Sequence, residues 1–297
     1  MPKEGDVRET LLRLSILVAV AVMLAACGGT TGSGSSSPSS GTIKAPSNLI
    51  TAGTITFLSD TTYPPQESID PSTNKAVGFD VDVANAIASK MGLTATIQTQ
   101  DFSTIIPALL AKKGDAIISA MSITSDRQKQ VAFVGYFSAG QSILVKAGNP
   151  EGISGISSLC GKKVSVQVTT TEQDTLTAAN GADCSTKKIT IQTFPTDTDA
   201  VQKLKLGAVD AAMDDSPVAA YYVKQDPTSF AIAGKPIAQA PEGIAVDPKN
   251  QELLKAIQQA MQAIFNDGTY QKLLQQWNLQ DGAIPASGIV VSGNPTG

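Results

Sequence analysis

The chain has 297 residues, enough for about two domains, and its 22 basic and 26 acidic side chains give a formal charge of −4 at pH 7. This balance argues against nucleic-acid binding, which usually needs a basic surface. The absence of histidine and the presence of three cysteines exclude Ser-His-Asp and Cys-His catalysis, histidine metal ligands and a four-cysteine zinc site. With 42% hydrophobic residues the chain can bury a core. We expect no cofactor and no metal site.

The first 26 residues have the pattern of an export signal. Lys3, Arg8 and Arg13 precede an apolar run of thirteen residues, 14–26. Such a run is too short to anchor a protein across a bilayer, but it suits the core of a signal peptide. A buried helix is the alternative, and the flexible Gly/Ser/Thr-rich segment 28–41 that follows argues against it. No other run in the sequence is long and apolar enough to cross a membrane.

The junction Leu24-Ala25-Ala26-Cys27 resembles the lipobox of bacterial lipoproteins, in which the cysteine is lipidated and becomes the mature N-terminus. An unmodified small residue is the alternative for Cys27. The resemblance predicts a signal peptide over 1–26, a lipid anchor at Cys27 and a flexible linker over 27–48. We therefore expect an extracytoplasmic protein, anchored by lipid to the cell membrane in the periplasm or at the cell surface.

Cys160 and Cys184 form an even pair in a domain that we expect to be exported, which favours a disulfide. Each precedes an apparent strand, so the two cysteines can be neighbours. The bridge would close a loop of 25 residues, counting both cysteines, and would stabilise the fold by about 3 kcal/mol. Two free buried thiols are the alternative.

From residue 54 onward, strand and helix patterns alternate. Apolar, β-branched runs predict strands, and apolar residues at helical spacing predict helices, in the order strand 54–60, helix 78–92, strand 93–99, helix 103–114 and strand 115–121. Pro107 must lie in the first turn of the second helix or kink that helix. This βαβαβ order implies a parallel sheet with helices on both faces.

A second block repeats the order. It has predicted strands over 162–168, 188–194 and 209–215 and helices over 172–179 and 200–206, the latter with Asp199 as N-cap. After Pro236 the chain runs extended and then forms two amphipathic helices, about 250–266 and 268–277. We therefore expect two α/β lobes with a cleft between them. In open α/β sheets, ligands bind at the carboxyl ends of the strands.

Several segments at these strand ends match one known family. They are DTTYPP (60–65), GFDVD (78–82), FSTIIP (102–107), DAIISAMSIT (115–124) with Arg127, DAAMDD (210–215) and the segment 267–277. Together they resemble the polar amino-acid-binding proteins of bacterial ABC importers, the family 3 extracellular solute-binding proteins, over about residues 50–280.

The resemblance implies a two-lobed, periplasmic-binding-protein-like fold of type II. Each lobe would be a mainly parallel sheet flanked by helices, with the ligand in the cleft between them. Lobe 1 would comprise 49–141 and 246–281, lobe 2 would comprise 142–245, and 282–297 would be a C-terminal tail. The lobes would be joined by crossover segments near Gln141–Lys146 and Gln239–Asp247.

The resemblance also implies roles for the two charged residues that would bind the ligand backbone. Arg127 would clamp the α-carboxylate, because a guanidinium group matches a carboxylate bidentately; a surface arginine in the polar run SDRQKQ is the alternative. Asp215 would accept hydrogen bonds from the α-ammonium, and a helix-capping carboxylate is the alternative. Asp214 is the fallback if the register shifts by one residue.

The other implied ligand-binding residues are Asp60, Tyr63, Phe102, Ser119, Ala120, Ser122, Thr170 and Thr171. The serines and threonines would bind the carboxylate or the ammonium, although such residues are often caps or turns. Tyr63 and Phe102 would cover the ligand side chain, with ordinary core packing as the alternative. Asp60 would face the distal end of the ligand side chain, or would be a turn residue. Thr169 departs from the family pattern, which usually has glycine there.

The resemblance implies an extracytoplasmic, monomeric lipoprotein that binds a free polar or basic L-amino acid, closes by a hinge motion and delivers the ligand to ABC permease subunits. It would carry out no chemistry. A cyclohexadienyl dehydratase acting on prephenate or arogenate is one alternative. It would need a general acid, for which Glu172 is the candidate, although we expect Glu172 to face solvent in the first turn of its helix. A tethered amino-acid sensor is the other alternative.

Overall fold

The computed structural model of the chain describes residues 43–293. The predicted signal peptide, Cys27 and the linker up to residue 42 lie outside the described residues, as do residues 294–297. Over the described range, none of the helices combines the length and the apolar character that a membrane span requires.

Twelve strands and eight α-helices span the described residues. The strands are β1 Thr54–Ser59, β2 Thr62–Tyr63, β3 Glu67–Asp70, β4 Lys75–Val77, β5 Thr94–Thr99, β6 Ala116–Ile117, β7 Ala132–Lys146, β8 Lys163–Gln167, β9 Thr190–Phe194, β10 Ala211–Asp215, β11 Phe230–Val246 and β12 Val291–Ser292. The helices are α1 Phe79–Lys90, α2 Phe102–Leu110, α3 Ser125–Gln128, α4 Thr171–Gly181, α5 Asp197–Lys205, α6 Ser216–Gln225, α7 Gln251–Asn266 and α8 Thr269–Trp277.

The main sheet has the strand order β5-β1-β6-β11-β7-β10-β8-β9, with β12 added beside β7. At one end β5, β1 and β6 pair in parallel, and at the other end β10, β8 and β9 do the same. The two long strands β7 and β11 run antiparallel between these ends. They pass from one half of the sheet to the other, and each overlaps one of the predicted crossover segments.

Separate hydrophobic clusters lie on the two sides of this pair of strands. One side packs α1, α2, α7 and α8 against β1, β5 and β6, and we call it lobe 1. The other packs α4, α5 and α6 against β8, β9 and β10, and we call it lobe 2. The two-lobed α/β fold expected from the sequence is therefore confirmed.

Helix α1 follows directly from its sequence pattern. Its apolar residues Val83, Ala84 and Ile87 are fully buried, as the helical spacing predicts. Gly92 follows the helix with a left-handed φ of 68° and donates its N–H to the carbonyl of Ser89 at 3.0 Å. A glycine adopts this conformation without the cost that a side chain would add.

The predicted N-cap of α5 is wrong. The helix begins at Asp197, and the cap is Thr196, whose hydroxyl accepts the N–H of Asp199 at 3.2 Å. The same hydroxyl donates to the Asp199 carboxylate at 2.9 Å. Thr196 therefore caps the helix and also contacts the Asp199 side chain, so the helix starts upstream of the predicted residue 200.

Two other predicted elements differ in detail. The strand predicted over 115–121 is limited to Ala116–Ile117, because the chain leaves the sheet at residue 118. Pro107 is the sixth residue of α2 and so lies beyond the first turn. At that position proline leaves the carbonyl four residues earlier without its helical N–H partner.

The disulfide between Cys160 and Cys184 is present, with a Cα–Cα distance of 5.0 Å. The two cysteines precede β8 and β9, which pair in parallel from Lys163↔Thr190 onward. The disulfide therefore links the segments that lead into two neighbouring strands, as the sequence predicts.

Both ends of the described chain pack on lobe 1. Ile43 contacts the larger core, and the Asn48 amide donates to the Asn250 side chain at 2.8 Å. The predicted linker boundary at residue 48 is therefore five residues beyond the first packed position. At the other end Ile284 and Ile289 are buried, so the predicted C-terminal tail contributes to the core up to β12.

Candidate ligand-binding site

A cavity lies between the two lobes. Its lining residues are Asp60, Tyr63, Glu67, Phe102, Ser119, Ala120, Ser122, Arg127, Gln167, Thr170, Thr171, Glu172 and Asp215. All ten residues that the sequence predicts as ligand-binding are among them. Glu67, Gln167 and Glu172 also line the cavity, although the sequence does not predict them as ligand-binding residues.

The topology explains why these distant residues meet. Asp60 follows β1 and Ser119 follows β6, while Gln167 ends β8 and Asp215 ends β10. Each of these strands presents its carboxyl end to the cleft, where the side chains are no longer committed to the sheet.

Arg127 is held by the short helix α3, whose N-cap Thr124 accepts the Arg127 N–H at 3.2 Å. Its guanidinium donates to the carbonyl of Ser122 at 2.9 Å and, across the cleft, to the carbonyl of Thr169 at 3.1 Å. The group lies over the Phe102 ring, 5.3 Å from its centroid. Burial lowers the pKa of Arg127, but an arginine remains charged at neutral pH. Arg127 therefore supplies a fixed positive charge in the cavity.

Asp215 lies opposite, at the end of β10. The Tyr63 hydroxyl donates to its carboxylate at 3.1 Å and accepts its backbone N–H at 2.8 Å. The Tyr63 ring packs with Ala120 and Val218, so this aromatic is fixed between the lobes as well as exposed to the cavity. Burial and the nearby Glu172 raise the pKa of Asp215 well above its ordinary value.

Asp214, the fallback for Asp215, does not line the cavity. Adjacent strand residues point to opposite faces, and the Asp214 carboxyl instead meets the carboxyl of Asp197 inside lobe 2. Asp197 accepts a hydrogen bond from Tyr222 at 3.0 Å. Burial raises the pKa of Asp214 well above its ordinary value.

Asp60 is almost fully buried at the far side of the cavity. Its carboxylate accepts hydrogen bonds from the Thr62 hydroxyl at 2.9 Å and from the Gln167 amide of lobe 2. The same amide donates to the carbonyl of Pro195 at 3.0 Å. Burial raises the pKa of Asp60. Asp60 of lobe 1 and Gln167 of lobe 2 thus form one polar side of the cavity.

Ser119 has a more internal role than the sequence suggests. Its hydroxyl donates to Glu67 at 2.8 Å and accepts the backbone N–H of Asp60 at 2.9 Å. Its one hydroxyl proton is therefore used within lobe 1, and only its remaining acceptors are left for a ligand.

The N-terminus of α4 opens into the cavity. Thr170 is its N-cap and accepts the Gln173 N–H at 3.3 Å, while its hydroxyl donates to the carbonyl of Gln167 at 2.8 Å. The backbone N–H groups of Thr170 and Thr171 have no partner among residues 43–293. Together with the helix dipole they favour an anion at this point. Thr169 has a left-handed φ of 65°, which explains why the family pattern has glycine there.

The expectation that Glu172 faces solvent is wrong. Glu172 is only 3% exposed and lines the cavity, because the start of α4 is turned toward lobe 1. One carboxyl oxygen accepts from the Thr171 hydroxyl at 3.2 Å, and the other has no hydrogen-bond donor within residues 43–293. Burial raises the pKa of Glu172, and the positive charge of Arg127 opposes part of that effect.

The family follows from comparison with known proteins. The sequence profile of the bacterial extracellular solute-binding proteins, family 3, matches residues 55–280. This chain belongs to that family. ABC transporter arginine-binding protein 1 of Escherichia coli (strain K12) is 31% identical over 228 residues, which cover 75% of this chain and 90% of that protein.

Two solved structures are also similar. An ancestral arginine-binding protein bound to arginine is 40% identical, has a TM-score of 0.71 and is matched over 76% of this chain and 98% of its own. An ancestral amino acid-binding protein that is a precursor of cyclohexadienyl dehydratase is 34% identical, with a TM-score of 0.68 over 76% of this chain and 95% of its own.

Proposed function

We propose that this family 3 protein is the extracytoplasmic substrate-binding lipoprotein of an ABC importer, and that it captures a free basic amino acid, with arginine as the first candidate. The observation that carries the proposal is the position of Arg127 and Asp215, which face one cavity from opposite lobes. A buried zwitterion needs one partner of each sign.

The α-carboxylate of the ligand would bind to Arg127 and to the free N–H groups of Thr170 and Thr171. A guanidinium fork and a helix N-terminus are both good carboxylate partners. The α-ammonium would bind to Asp215. Ser122 and Ser119 line the same space, and the Ser119 oxygen is available to the ammonium as an acceptor.

The charge balance of the cavity favours a cationic side chain. Four carboxyl groups, those of Asp60, Glu67, Glu172 and Asp215, face one guanidinium, that of Arg127. A neutral zwitterion leaves this excess unchanged, whereas a basic side chain reduces it. Phe102 would cover the side chain, and Asp60 would receive its distal end. The arginine-binding relatives support the same choice.

Delivery and anchoring follow from the sequence. We infer that the chain is lipidated at Cys27, acts as a monomer on a flexible tether and closes its lobes around the ligand before it docks on permease subunits. Fractionation of cells that express the Cys27→Ser variant tests the anchor. We expect that variant in the soluble extracytoplasmic fraction and the unaltered protein in the membrane fraction.

The ligand is tested on purified protein that is unfolded and refolded to remove retained ligand. The twenty amino acids and ornithine, each at about 1 mM, are compared by thermal shift. A ligand with a dissociation constant near 1 μM adds about 4 kcal/mol of stability. We expect the largest shift with arginine. No shift with any amino acid would contradict the proposed function.

Side-chain selection is tested with Asp60→Asn. We expect arginine affinity to fall about tenfold or more, because a hydrogen bond to a charged group contributes about 1.5–3 kcal/mol, while glutamine affinity changes less. Asp70→Asn is the matched control, because Asp70 is in the small sheet β2–β4 and does not line the cavity.

A second candidate function is dehydration of prephenate or arogenate. Two observations favour it: Glu172 is a buried carboxyl inside the cavity, and one similar structure is a precursor of cyclohexadienyl dehydratase. The relatives of known role bind amino acids, so we place binding first. Turnover of either substrate, lost in Glu172→Gln, would establish the enzyme.

A further inference from the structure

The carboxyl groups of Glu172 and Asp215 meet inside the cavity. Glu172 comes from the start of α4 and Asp215 from the end of β10, and both side chains line the same cavity. They are 3% and 6% exposed, and one oxygen of Glu172 has no donor among residues 43–293. When two carboxyl groups are buried in one small cavity, a proton held by one of them relieves the repulsion between their charges.

Like charges in such a site cannot both be ionised at low cost. The titratable groups around the pair are Arg127, Tyr63, Asp197, Asp214 and Glu242. Arg127 alone among them is cationic, and it also serves as the carboxylate clamp. The unliganded pair is therefore best described as two carboxylates that hold one proton between them.

We propose that Glu172 is a second carboxylate of the ammonium subsite, and that the α-ammonium of the ligand displaces the proton that Glu172 shares with Asp215. The inference rests on the proposed function, because it needs an amino acid whose carboxylate is held by Arg127. In the exchange the carboxyl O–H bond breaks and the proton leaves to the buffer. The ligand keeps its three N–H bonds and donates them to the carboxylates.

The exchange leaves the charge of the subsite unchanged, since one cation enters as one proton leaves. It therefore makes binding dependent on pH. At a pH where the pair holds its proton, affinity weakens as pH falls, by up to about tenfold per pH unit for one released proton. The exchange also makes the subsite selective for a ligand that carries an α-ammonium group.

Calorimetric titration of the whole protein with L-arginine tests the proposal. Titrations between about pH 5 and 8, in two buffers of different ionisation enthalpy, give the number of protons released. We expect a release approaching one proton for the unaltered protein and release close to zero for Glu172→Gln, whose amide donates to Asp215 without a titrating proton. Glu151→Gln, an exposed position outside the cavity, is the control and should behave as the unaltered protein.

The ligand supplies an independent arm that does not depend on a variant folding. Desamino-arginine lacks the α-ammonium and should bind weakly, without proton release. Arginine binding with no proton release, or release that persists in a folded Glu172→Gln protein, would overturn the inference and leave the proposed function intact. Failure of arginine and of the other amino acids to bind at any pH would overturn both.

Discussion

Tyr63 and Asp215 are joined by two hydrogen bonds that cross between the lobes. The backbone N–H of Asp215 donates to the phenol oxygen at 2.8 Å, and the phenol donates to the carboxylate at 3.1 Å. The phenol thus fixes both the position of the strand end and the orientation of the carboxylate. The second carboxylate oxygen remains available for Glu172 or for a ligand.

We expect Tyr63→Phe to weaken amino-acid binding by about tenfold, because a hydrogen bond to a charged group contributes about 1.5–3 kcal/mol. The aromatic ring is retained, so its packing on Ala120 is not lost. Calorimetric titration measures the change. Tyr221→Phe is the control, since Tyr221 lies outside the cavity. Equal affinity in the two variants would show that the contact with Asp215 does not serve binding.

We expect Arg127→Ala to cost about 2–5 kcal/mol of binding, or roughly 30-fold or more, because it leaves the ligand carboxylate buried without its partner. The affinity of Arg127→Lys should lie between those of the unaltered protein and Arg127→Ala, since lysine keeps the positive charge but loses the bidentate guanidinium geometry. Lys129→Ala is the control, because Lys129 pairs with Asp126 on the surface. Unchanged affinity in Arg127→Ala would remove that residue from the site.

Asp215→Asn and Asp214→Asn should separate binding from stability. The first removes the carboxylate that faces the cavity, so we expect affinity to fall at least tenfold. The second alters only the carboxyl pair with Asp197 inside lobe 2, so we expect a shift of the melting temperature with affinity preserved. Titration and thermal melts of both variants test the pair, and the reverse pattern would favour Asp214 as the ligand residue.

The stability of the unliganded protein should fall as pH rises from about 5 to 8. Burial raises the pKa of Asp80 and of Asp197 to about 6. A carboxyl group with a raised folded pKa adds stability that is complete below its unfolded pKa, near 4, and is lost as pH rises through 6.

Carboxyl groups whose pKa is lowered in the folded protein do not reverse this decline in stability between pH 5 and 8. The pKa of Asp267 is lowered to about 2, so its contribution is lost only in more acidic solution. The chain has no histidine to titrate between these limits. Thermal melts across the range should show a steady decline, which Asp80→Asn and Asp197→Asn should flatten. A melting temperature that rises from pH 5 to 8 would contradict the prediction.

We expect the double variant Cys160→Ser, Cys184→Ser to lower the free energy of unfolding by about 3 kcal/mol, because the bridge closes a long loop of the unfolded chain. Urea unfolding measures this loss, and reductant should produce the same loss in the unaltered protein. Ligand affinity should be unchanged, since neither cysteine lines the cavity. A large drop in affinity would show that the bridge shapes the site.

The sequence predicts much of the site because its residues lie in motifs at strand ends. Asp60, Arg127 and Asp215 are examples, and the strand order brings them to one cleft. The burial of Glu172 is different. A glutamate in the first turn of a helix usually faces solvent, and only the approach of the opposite lobe covers this one.

Gln167 and Glu67 escape prediction for related reasons. Gln167 lies in the strand predicted over 162–168 but belongs to no motif, and its contact with Asp60 depends on how the lobes meet. Glu67 begins a strand of only four residues in a small separate sheet, too short for a periodic pattern. The full length of β7 and β11 is missed because each strand serves both lobes.

The irregular pairing of β7 with β11 bears on how a partner could detect a bound ligand. The register of the two strands shifts twice between Ala233 and Ala240, opposite the stretch that contains Gly140, and once more between Glu242 and Gly243. The regular pairing of the two strands is therefore interrupted where they pass between the lobes. Under the proposed function, closure of the lobes at this level would change the angle between their outer faces, which a partner could contact without meeting the ligand.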